Sequence, residues 1–595
     1  MRVKFIIAVM LLIWVVLLSR VYYLAVVSNR YYEEIALGNV IKTELIAPTR
    51  GQILDRNNRP MAINKLGFAI LLAPHLKEDE LKEEARVLNS VFPQISSQEI
   101  QKEYQKQNSP YNHEFIEVIN FLEYEEVVPY FSKLNLRENL KLISSSKRYY
   151  PYGQLASHVI GYVGRVNIKD IEKDPSVRIV DFIGRSGVER YHNKILQGEP
   201  GERKIKVTAL NRAVEELYYK KPKSSSISLH IDIELQEFLT ELFKDSAGVA
   251  IIMDVNTGAI IAAGSFPEYD LNPFVSGISW SEWKKLIEDF DHPFTNKLVN
   301  GLYPPASTIK MAVGMAFINS GLIREDTIFT CKGHIKLGGR NFRCWKTWGH
   351  GDMNLKDAIR ESCDVYFYEG GLIVGIDFIA QTLRNYGFGN KTGVDLPNEF
   401  IGTIPDKEWK MARFRQPWFT GETVISSIGQ GNMLITPMQM VKHTAEIASG
   451  KGLVPHFIKS IDDKDVIYEE RGLFSDSEKK LLPSIRKAMY EVANHPKGTA
   501  YRTLSDCAIK IAAKTGTAQV ISIPQNEKER MKEEDMKYYE RSHSWLTTYG
   551  PYDNPKYAVT VLIEHGGGAS AASPYIKAIY KKLLELGYIK QEKTK

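Results

Sequence analysis

A serine three residues ahead of a lysine, Ser307-Thr308-Ile309-Lys310, is where this chain could make and break a covalent bond. A serine hydroxyl is a poor nucleophile until a neighbouring base takes its proton. At helical spacing, residues three apart share a face, so Lys310 would stand one turn from Ser307. A lysine can act as that base only when burial or nearby positive charge leaves some of its amine neutral. The run Thr308-Ile309-Lys310-Met311-Ala312-Val313-Gly314-Met315-Ala316-Phe317 is apolar on nearly every side, which predicts a buried helix. Pro304-Pro305-Ala306 precedes it, and prolines favour helix starts. Ser307 is therefore expected where unpaired backbone N–H groups favour developing negative charge. Alone, the string reads better as a capping serine and a solvated lysine. Two further strings decide against that. Lys514-Thr515-Gly516-Thr517 ends an apolar run, 508–513, short enough for a strand. Lys514 supplies a second cation, Thr515 and Thr517 supply hydroxyls, and Gly516 lets a ligand approach the backbone closely. Such an edge can hold a carboxylate. Ser362-Cys363-Asp364 follows a helical stretch, 354–361, and adds a hydroxyl and an acid.

Three of the four cysteines, Cys331, Cys344 and Cys363, lie with His350 in a short span beside these motifs. Thiolate and imidazole in a tetrahedron suit zinc, and three cysteines with one histidine are a common structural set. The spacing is too wide for a two-knuckle finger, so the fold would have to assemble the site. A Cys331–Cys344 disulfide is the alternative in an oxidising compartment, with Cys363 buried and His350 incidental. Unlinked core residues are the third reading. Cys507 is expected to be a small core residue.

The elements that must position these residues can be read in outline. At 595 residues the chain needs two or three domains. A net charge of +6 at this length, without a long basic tract, implies no nucleic-acid partner. Residues 5–27 are almost wholly apolar, long enough to cross a bilayer, and interrupted by Arg20. Arg2 and Lys4 precede the stretch and no good small-x-small cleavage site follows, so an uncleaved anchor is expected. Arg20 would snorkel to the interface near Tyr22 and Tyr23. Helices are predicted over 78–91 and 123–134, and 220–226 reads as a linker. A strand over 227–231 and a helix from Glu234 then open the catalytic part. Segments 249–253 and 259–263 flank Asp254-Val255-Asn256-Thr257-Gly258, a hairpin signal. A strand over 557–563 and a helix over 575–586 close the chain.

The three strings, in this order, resemble those of the penicillin-recognising acyltransferases. The chain as a whole resembles a class B penicillin-binding protein, nearest to the penicillin-binding protein 2 branch that serves elongation. Gly301-Leu302-Tyr303-Pro304-Pro305, Ser427-Ile428-Gly429-Gln430-Gly431 and His495-Pro496-Lys497-Gly498-Thr499-Ala500 carry the likeness in the catalytic half. Arg50-Gly51-Gln52-Ile53-Leu54-Asp55-Arg56 and Gly184-Arg185-Ser186-Gly187-Val188-Glu189 carry it upstream. Ala306 departs from the family's usual glycine, and Asp364 stands where asparagine is commoner in the wider family.

The resemblance implies an α/β (α+β) chain in three parts. These are a tail and transmembrane helix (1–27), a non-catalytic mixed α/β pedestal (28–225) and a transpeptidase domain (226–595) with a central antiparallel sheet between helical layers. It implies a peptidoglycan D,D-transpeptidase in the bacterial inner membrane, its catalytic domain periplasmic, with carboxypeptidase side activity. Ser307, Lys310, Ser362, Asp364 and Lys514 would be catalytic, and Thr515, Gly516 and Thr517 would bind substrate. Backbone N–H groups of Ser307 and Thr517 would form the oxyanion hole. Stem peptides, β-lactams, a SEDS-family glycosyltransferase and elongation-complex proteins are the implied partners. A structural zinc on Cys331, Cys344, His350 and Cys363 would correspond to a metal that relatives hold with other ligand types. A division-specific transpeptidase, a membrane-bound β-lactam sensor, a β-lactamase and an inactive scaffold are the alternatives.

Overall fold

The computed structural model describes residues 2–28, 41–207, 213–470, 472–521 and 531–590. Met1 of the expected anchor, and 29–40 and 208–212 of the expected pedestal, lie outside the described residues. The chain forms two compact units. One comprises Met1–Gly51, Val166–Asp181 and Lys194–Ser225; the other comprises Gln52–Arg165, Phe182–Asn193 and Ser226–Lys595.

In the first unit the apolar N-terminus is a helix, Arg2–Tyr22, that continues as a π-helical turn, Tyr23–Val27. None of these 26 residues is buried. At 1.5 Å per residue the helix reaches about 39 Å, enough for a hydrocarbon core of about 30 Å. The Arg20 guanidinium lies 5.6 Å from the Tyr23 ring centroid, among the aromatic residues that favour an interface. A three-stranded antiparallel sheet joins Ile41–Ile46, Gly201–Val207 and Ala213–Lys220.

The second unit contains both a pedestal core and the catalytic sheet. Strand Pro60–Leu72 pairs with Ile116–Glu123 and Leu140–Tyr149. Helices Glu78–Val91 and Ser97–Gln107 cover these strands through Leu81, Leu88, Ile100 and Tyr104, all buried. The helix expected over 123–134 is broken up. Glu123 ends a strand, and helices Tyr124–Val127 and Phe131–Asn135 flank a 3-10 turn at Pro129, whose ring and missing N–H interrupt a continuous helix. The same sheet runs on: Ile53–Leu54 pairs in parallel with Ile227–Leu229, which pairs with Ile458–Ile461.

The catalytic sheet is antiparallel throughout, in the order Ile260–Phe266, Gly248–Asp254, Tyr557–Ile563, His543–Gly550, Ala512–Ala518. Tyr557–Ile563 is buried at every position, as a strand covered on both faces must be. On one face Leu235 and Leu239 of helix Ile233–Leu242, with Ile576, Ile579 and Leu583 of helix Ser573–Glu585, pack on Ala250, Ile252, Val559 and Val561. On the other lies helix Pro437–Ser449, whose Thr444 Oγ1 is 2.6 Å from Thr547 Oγ1. The sheet between helical layers is thus present. One boundary differs: the strand expected over 508–513 is Ala512–Ala518, so Lys514, Thr515, Gly516 and Thr517 lie inside a strand. β-Branched Thr515 and Thr517 suit a pleat, while Ile509 and Ile511 turn in against Gly550.

Glu268, just beyond strand Ile260–Phe266, is half-buried, and desolvation raises its carboxyl from 4.5 to about 8. Its oxygens meet Ala156 N at 2.8 Å and Thr240 Oγ1 at 2.7 Å. Held protonated in the fold but ionised when unfolded, it contributes stability that is full below pH 4.5 and lost as pH rises toward 8. The slope is about 1.4 kcal/mol per pH unit. Glu268→Gln is expected to flatten this part of the pH–stability curve and raise the melting temperature at pH 8, measured by thermal denaturation across pH 5–8.

Candidate active site

Ser307 does not sit in an α-helix. It occupies a 3-10 turn, Ala306–Ile309, and Lys310 opens helix Lys310–Asn319, buried from Lys310 to Phe317. The turn is clamped from three sides. Ala306 N donates to Gly429 O at 2.8 Å, and Trp545 Nε1 donates to Pro304 O at 3.1 Å. A methyl group on Gly516 would lie 3.0 Å from Thr308 Cγ2 and 3.2 Å from Pro305 O, so the serine turn rests directly on this glycine. Ala306 has φ 49°, the left-handed region where the family's glycine is at ease. Gly429 has φ +72°, and a methyl there would stand 2.4 Å from Ala306 O. Gly429→Ala is therefore expected to cost about 2 kcal/mol or more. Because the displaced group is the serine turn, the acylation rate with a fluorescent penicillin should fall at least about tenfold.

Ser307 lines a cavity of about 290 Å³ with Ser362, Asp364, Thr515, Gly516 and Thr517. Behind it lies a water-excluded cluster. Lys310 Nζ, fully buried, lies 2.6 Å from Asp364 Oδ1, 3.1 Å from Ser362 O and 3.4 Å from Ser362 Oγ. Lys514 Nζ, also fully buried, is 3.0 Å from Ser362 Oγ and 3.0 Å from Thr515 O. The Ser362 hydroxyl thus stands between two amines. Its residue has φ 53°, a left-handed kink just before helix Asp364–Val374. Lys514 is held well below the ordinary lysine range, first by burial and then by the charge of Lys310, against the pull of Asp364. Burial raises the Asp364 carboxyl, and the Lys310 charge opposes that. Both Asp364 oxygens are engaged within the protein, Oδ1 by Lys310 and Oδ2 by Trp345 N at 3.0 Å. Asp364 is thereby a counter-ion, and its oxygens only accept.

Three further cavity residues escaped the sequence reading. Trp345 donates Nε1 to Glu361 O at 3.0 Å and Ser362 O at 3.1 Å. Gln430 donates Nε2 to Thr517 O at 3.0 Å. Thr499 Oγ1 lies 2.8 Å from Thr515 Oγ1. The Gln430 and Thr499 strings had been noticed only as family likenesses; nothing about Trp345 in one dimension marks it.

Cys331, Cys344, His350 and Cys363 converge, their ligand atoms all within 4.8 Å of one another. All four cysteines of the chain are free thiols. His350 Nδ1 is 3.6 Å from Cys331 Sγ and 3.5 Å from Cys344 Sγ, while its buried Nε2 meets no partner among the described residues. A tetrahedral zinc, with bonds of about 2.3 Å to sulfur and about 2.1 Å to nitrogen, sets its ligands about 3.6 Å apart. Cys344 is pulled down, first by the hydrogen bond from Cys363 and also by His350, the direction a metal ligand needs. Cys363 is pushed up in turn. The donor set fits a metal. It also touches the catalytic cluster, since Asp364 N donates to Cys344 Sγ at 3.4 Å.

A serine lining a cavity, two buried lysines and a second serine beside the edge strand of this sheet are a set able to support serine acyl transfer, in a chain that also carries a membrane-length helix. Residues 248–585 match the penicillin binding protein transpeptidase domain, and residues 45–226 match the penicillin-binding protein dimerisation domain. Penicillin-binding protein PBP2 from Helicobacter pylori, in complex with MreC, superposes with a TM-score of 0.86 at 42% identity over 93% of this chain and 100% of that one. PBP2 of Pseudomonas aeruginosa in complex with WCK 5153 gives 0.69 at 27% identity, over 93% of this chain and 100% of that one. The peptidoglycan D,D-transpeptidase MrdA of Escherichia coli strain K12 is 32% identical over 588 residues, 96% of this chain and 92% of that protein. The chain belongs to the penicillin-binding protein transpeptidase family, in its penicillin-binding protein 2 branch.

Proposed function

We propose that this chain is the membrane-anchored D,D-transpeptidase that cross-links peptidoglycan stem peptides during cell elongation. The observation that carries the proposal is the placement of Ser362 Oγ between Lys310 Nζ and Lys514 Nζ beside the cavity that Ser307 lines. Ser307 Oγ attacks the carbonyl of the penultimate D-alanine as Lys310 takes its proton. Negative charge on the carbonyl oxygen is met by the backbone N–H groups of Ser307 and Thr517. The bond to the terminal D-alanine nitrogen breaks, and the proton returns to that nitrogen through Ser362. Lys514, Thr515 and Thr517 hold the terminal carboxylate by hydrogen bonds from the amine and the two hydroxyls. An amine of a neighbouring stem peptide then attacks the serine ester, forming the cross-link and freeing Ser307.

In this reading residues 28–225 are the pedestal and 226–595 the transpeptidase domain. Cys331, Cys344, His350 and Cys363 would hold zinc as a structural ion that fixes the loop beside Ser362 and Asp364. A SEDS-family glycosyltransferase supplies the polymer, because no polymerase motif is present in the sequence. MreC, the partner of the Helicobacter pylori relative, is the matching elongation protein.

Intact-mass analysis of the full chain after exposure to a penicillin tests the reading. One adduct per chain, mapped to Ser307 and persisting for many minutes, is expected, because Asp364, the carboxylate that lines the cavity, has both oxygens engaged by Lys310 and Trp345 and is not free to activate water for deacylation. An adduct elsewhere, or rapid turnover of nitrocefin with free enzyme regenerated, would sink it.

A further inference from the structure

Residues 329–349 hold five Lys and Arg and no Asp or Glu, in a chain whose 77 basic and 71 acidic residues otherwise nearly balance. Almost the whole excess of positive charge therefore sits in one short stretch. Much of that stretch is a hairpin, His334–Leu337 paired with Arg340–Arg343. Gly338 and Gly339 close it with φ 56° and 77°, the two-residue turn that suits the strand twist. Its faces alternate: His334, Lys336 and Asn341 are exposed, while Ile335 and Phe342 are half-buried. The packed face is anchored. Phe342 lies edge-on to Tyr368 and against Gly421, and Tyr368 O–H donates to Arg343 O at 3.1 Å. Lys332, Lys336 and Arg340 meet no carboxylate within ion-pairing distance among the described residues. A solvated charged turn would normally be the plain account of such residues. Two observations argue against it here: the hairpin is anchored through Phe342 and Arg343, and it runs straight into the cavity that Ser307 lines. Trp345, next in chain after Cys344, lines that cavity and binds Asp364 through its backbone. Trp345 and Trp348 are 58% and 80% exposed, apolar surface beside the cations.

We propose that this hairpin docks the carboxylates of the acceptor strand, the stem peptides that bring the attacking amine to the Ser307 ester. The assignment rests on the transpeptidase reading above and names a subsite within it. The terminal carboxylate of the donor is already provided for on the Thr515–Thr517 edge, so a second cationic surface serves the second substrate. Stem peptides carry free carboxylates, and a strand presents many of them. Unpaired cations match that polymer by charge and raise its concentration at the cavity mouth. The exposed tryptophans match its sugar rings.

The test uses the full chain in neutral-lipid nanodiscs and uncross-linked glycan strands bearing tetrapeptide stems. Such stems lack the terminal D-alanine, so they cannot acylate Ser307 and report acceptor docking alone. Lys336→Glu with Arg340→Glu is expected to weaken strand binding about tenfold or more and to reduce its salt dependence. The penicillin acylation rate should stay within about twofold of wild type. Should the reversal disturb folding, judged by thermal melting, Lys336→Gln with Arg340→Gln should still weaken binding about threefold. Unchanged binding in a folded variant overturns the proposal. So does equal wild-type binding of strands whose carboxylates are amidated, or capture of phosphatidylglycerol vesicles by these cations in place of strands. Absence of a penicillin adduct on wild-type protein would instead overturn the underlying transpeptidase reading, which strand binding does not report.

Discussion

Ser307→Ala takes up no β-lactam and forms no cross-links, with folding intact. The substitution removes the one atom that carries the acyl group, so the expected loss of turnover is about 10⁴-fold to 10⁶-fold. Ser307 Oγ makes no hydrogen bond among the described residues and its side chain faces the cavity, so truncation leaves no buried group unpaired. Lys310→Ala should lose nearly as much activity for a different reason. It deletes the base and leaves Asp364 buried without the amine that neutralises it, so stability falls as well. Residues acting as one unit are not additive. The double variant should then be no slower than Ser307→Ala, and single-turnover acylation with mass detection separates the three proteins. Residual acylation of Ser307→Ala at a mapped second residue would remove Ser307 from its role.

The second large effect concerns Cys363→Ser. The full chain purified without chelator should contain about one zinc, lost in this variant together with several kcal/mol of stability. Cys363 caps helix Asp364–Val374 and lies between Ser362 and Asp364, so its release frees the residues that hold Lys310. Acylation should therefore fall with metal content, while Cys507→Ser, remote from the cluster, should change neither. Elemental analysis with thiol counting under denaturing conditions measures both sides. Metal-free protein melting at the same temperature with or without chelator would dismiss the ion. Two thiols missing from the count would replace it with the disulfide.

The residue types of both clusters were legible because their chemistry is local. Three short strings name a nucleophile, a base and a carboxylate-binding edge wherever they lie. The hairpin around Asp254-Val255-Asn256-Thr257-Gly258 and strand Tyr557–Ile563 were readable for the same reason, a period or a turn contained within a few residues. What depended on distant partners was not. Gly516 looked like a glycine for a ligand because nothing in one dimension shows the serine turn resting on it. Asp364 read only as a departure from the family's asparagine because its partners, Lys310 and Trp345, lie 54 and 19 positions away. The helix expected over 123–134 failed on a proline whose effect the apolar pattern outvoted. The four ligand residues were visible as a set, but geometry alone could favour convergence on one point over pairing of two sulfurs.

The parallel pairing of Ile53–Leu54 with Ile227–Leu229 makes one hydrogen-bonded fabric of strands that stand far apart in the chain. Load applied to residues 60–149 reaches the catalytic half sideways, across a ladder, as well as along the peptide chain. Bonds in a ladder pulled lengthwise share the strain and give way together, whereas bonds peeled from one end fail singly. An enzyme that works on a wall under turgor thus has, between its upstream strands and its catalytic half, a hydrogen-bonded joint in addition to the covalent chain.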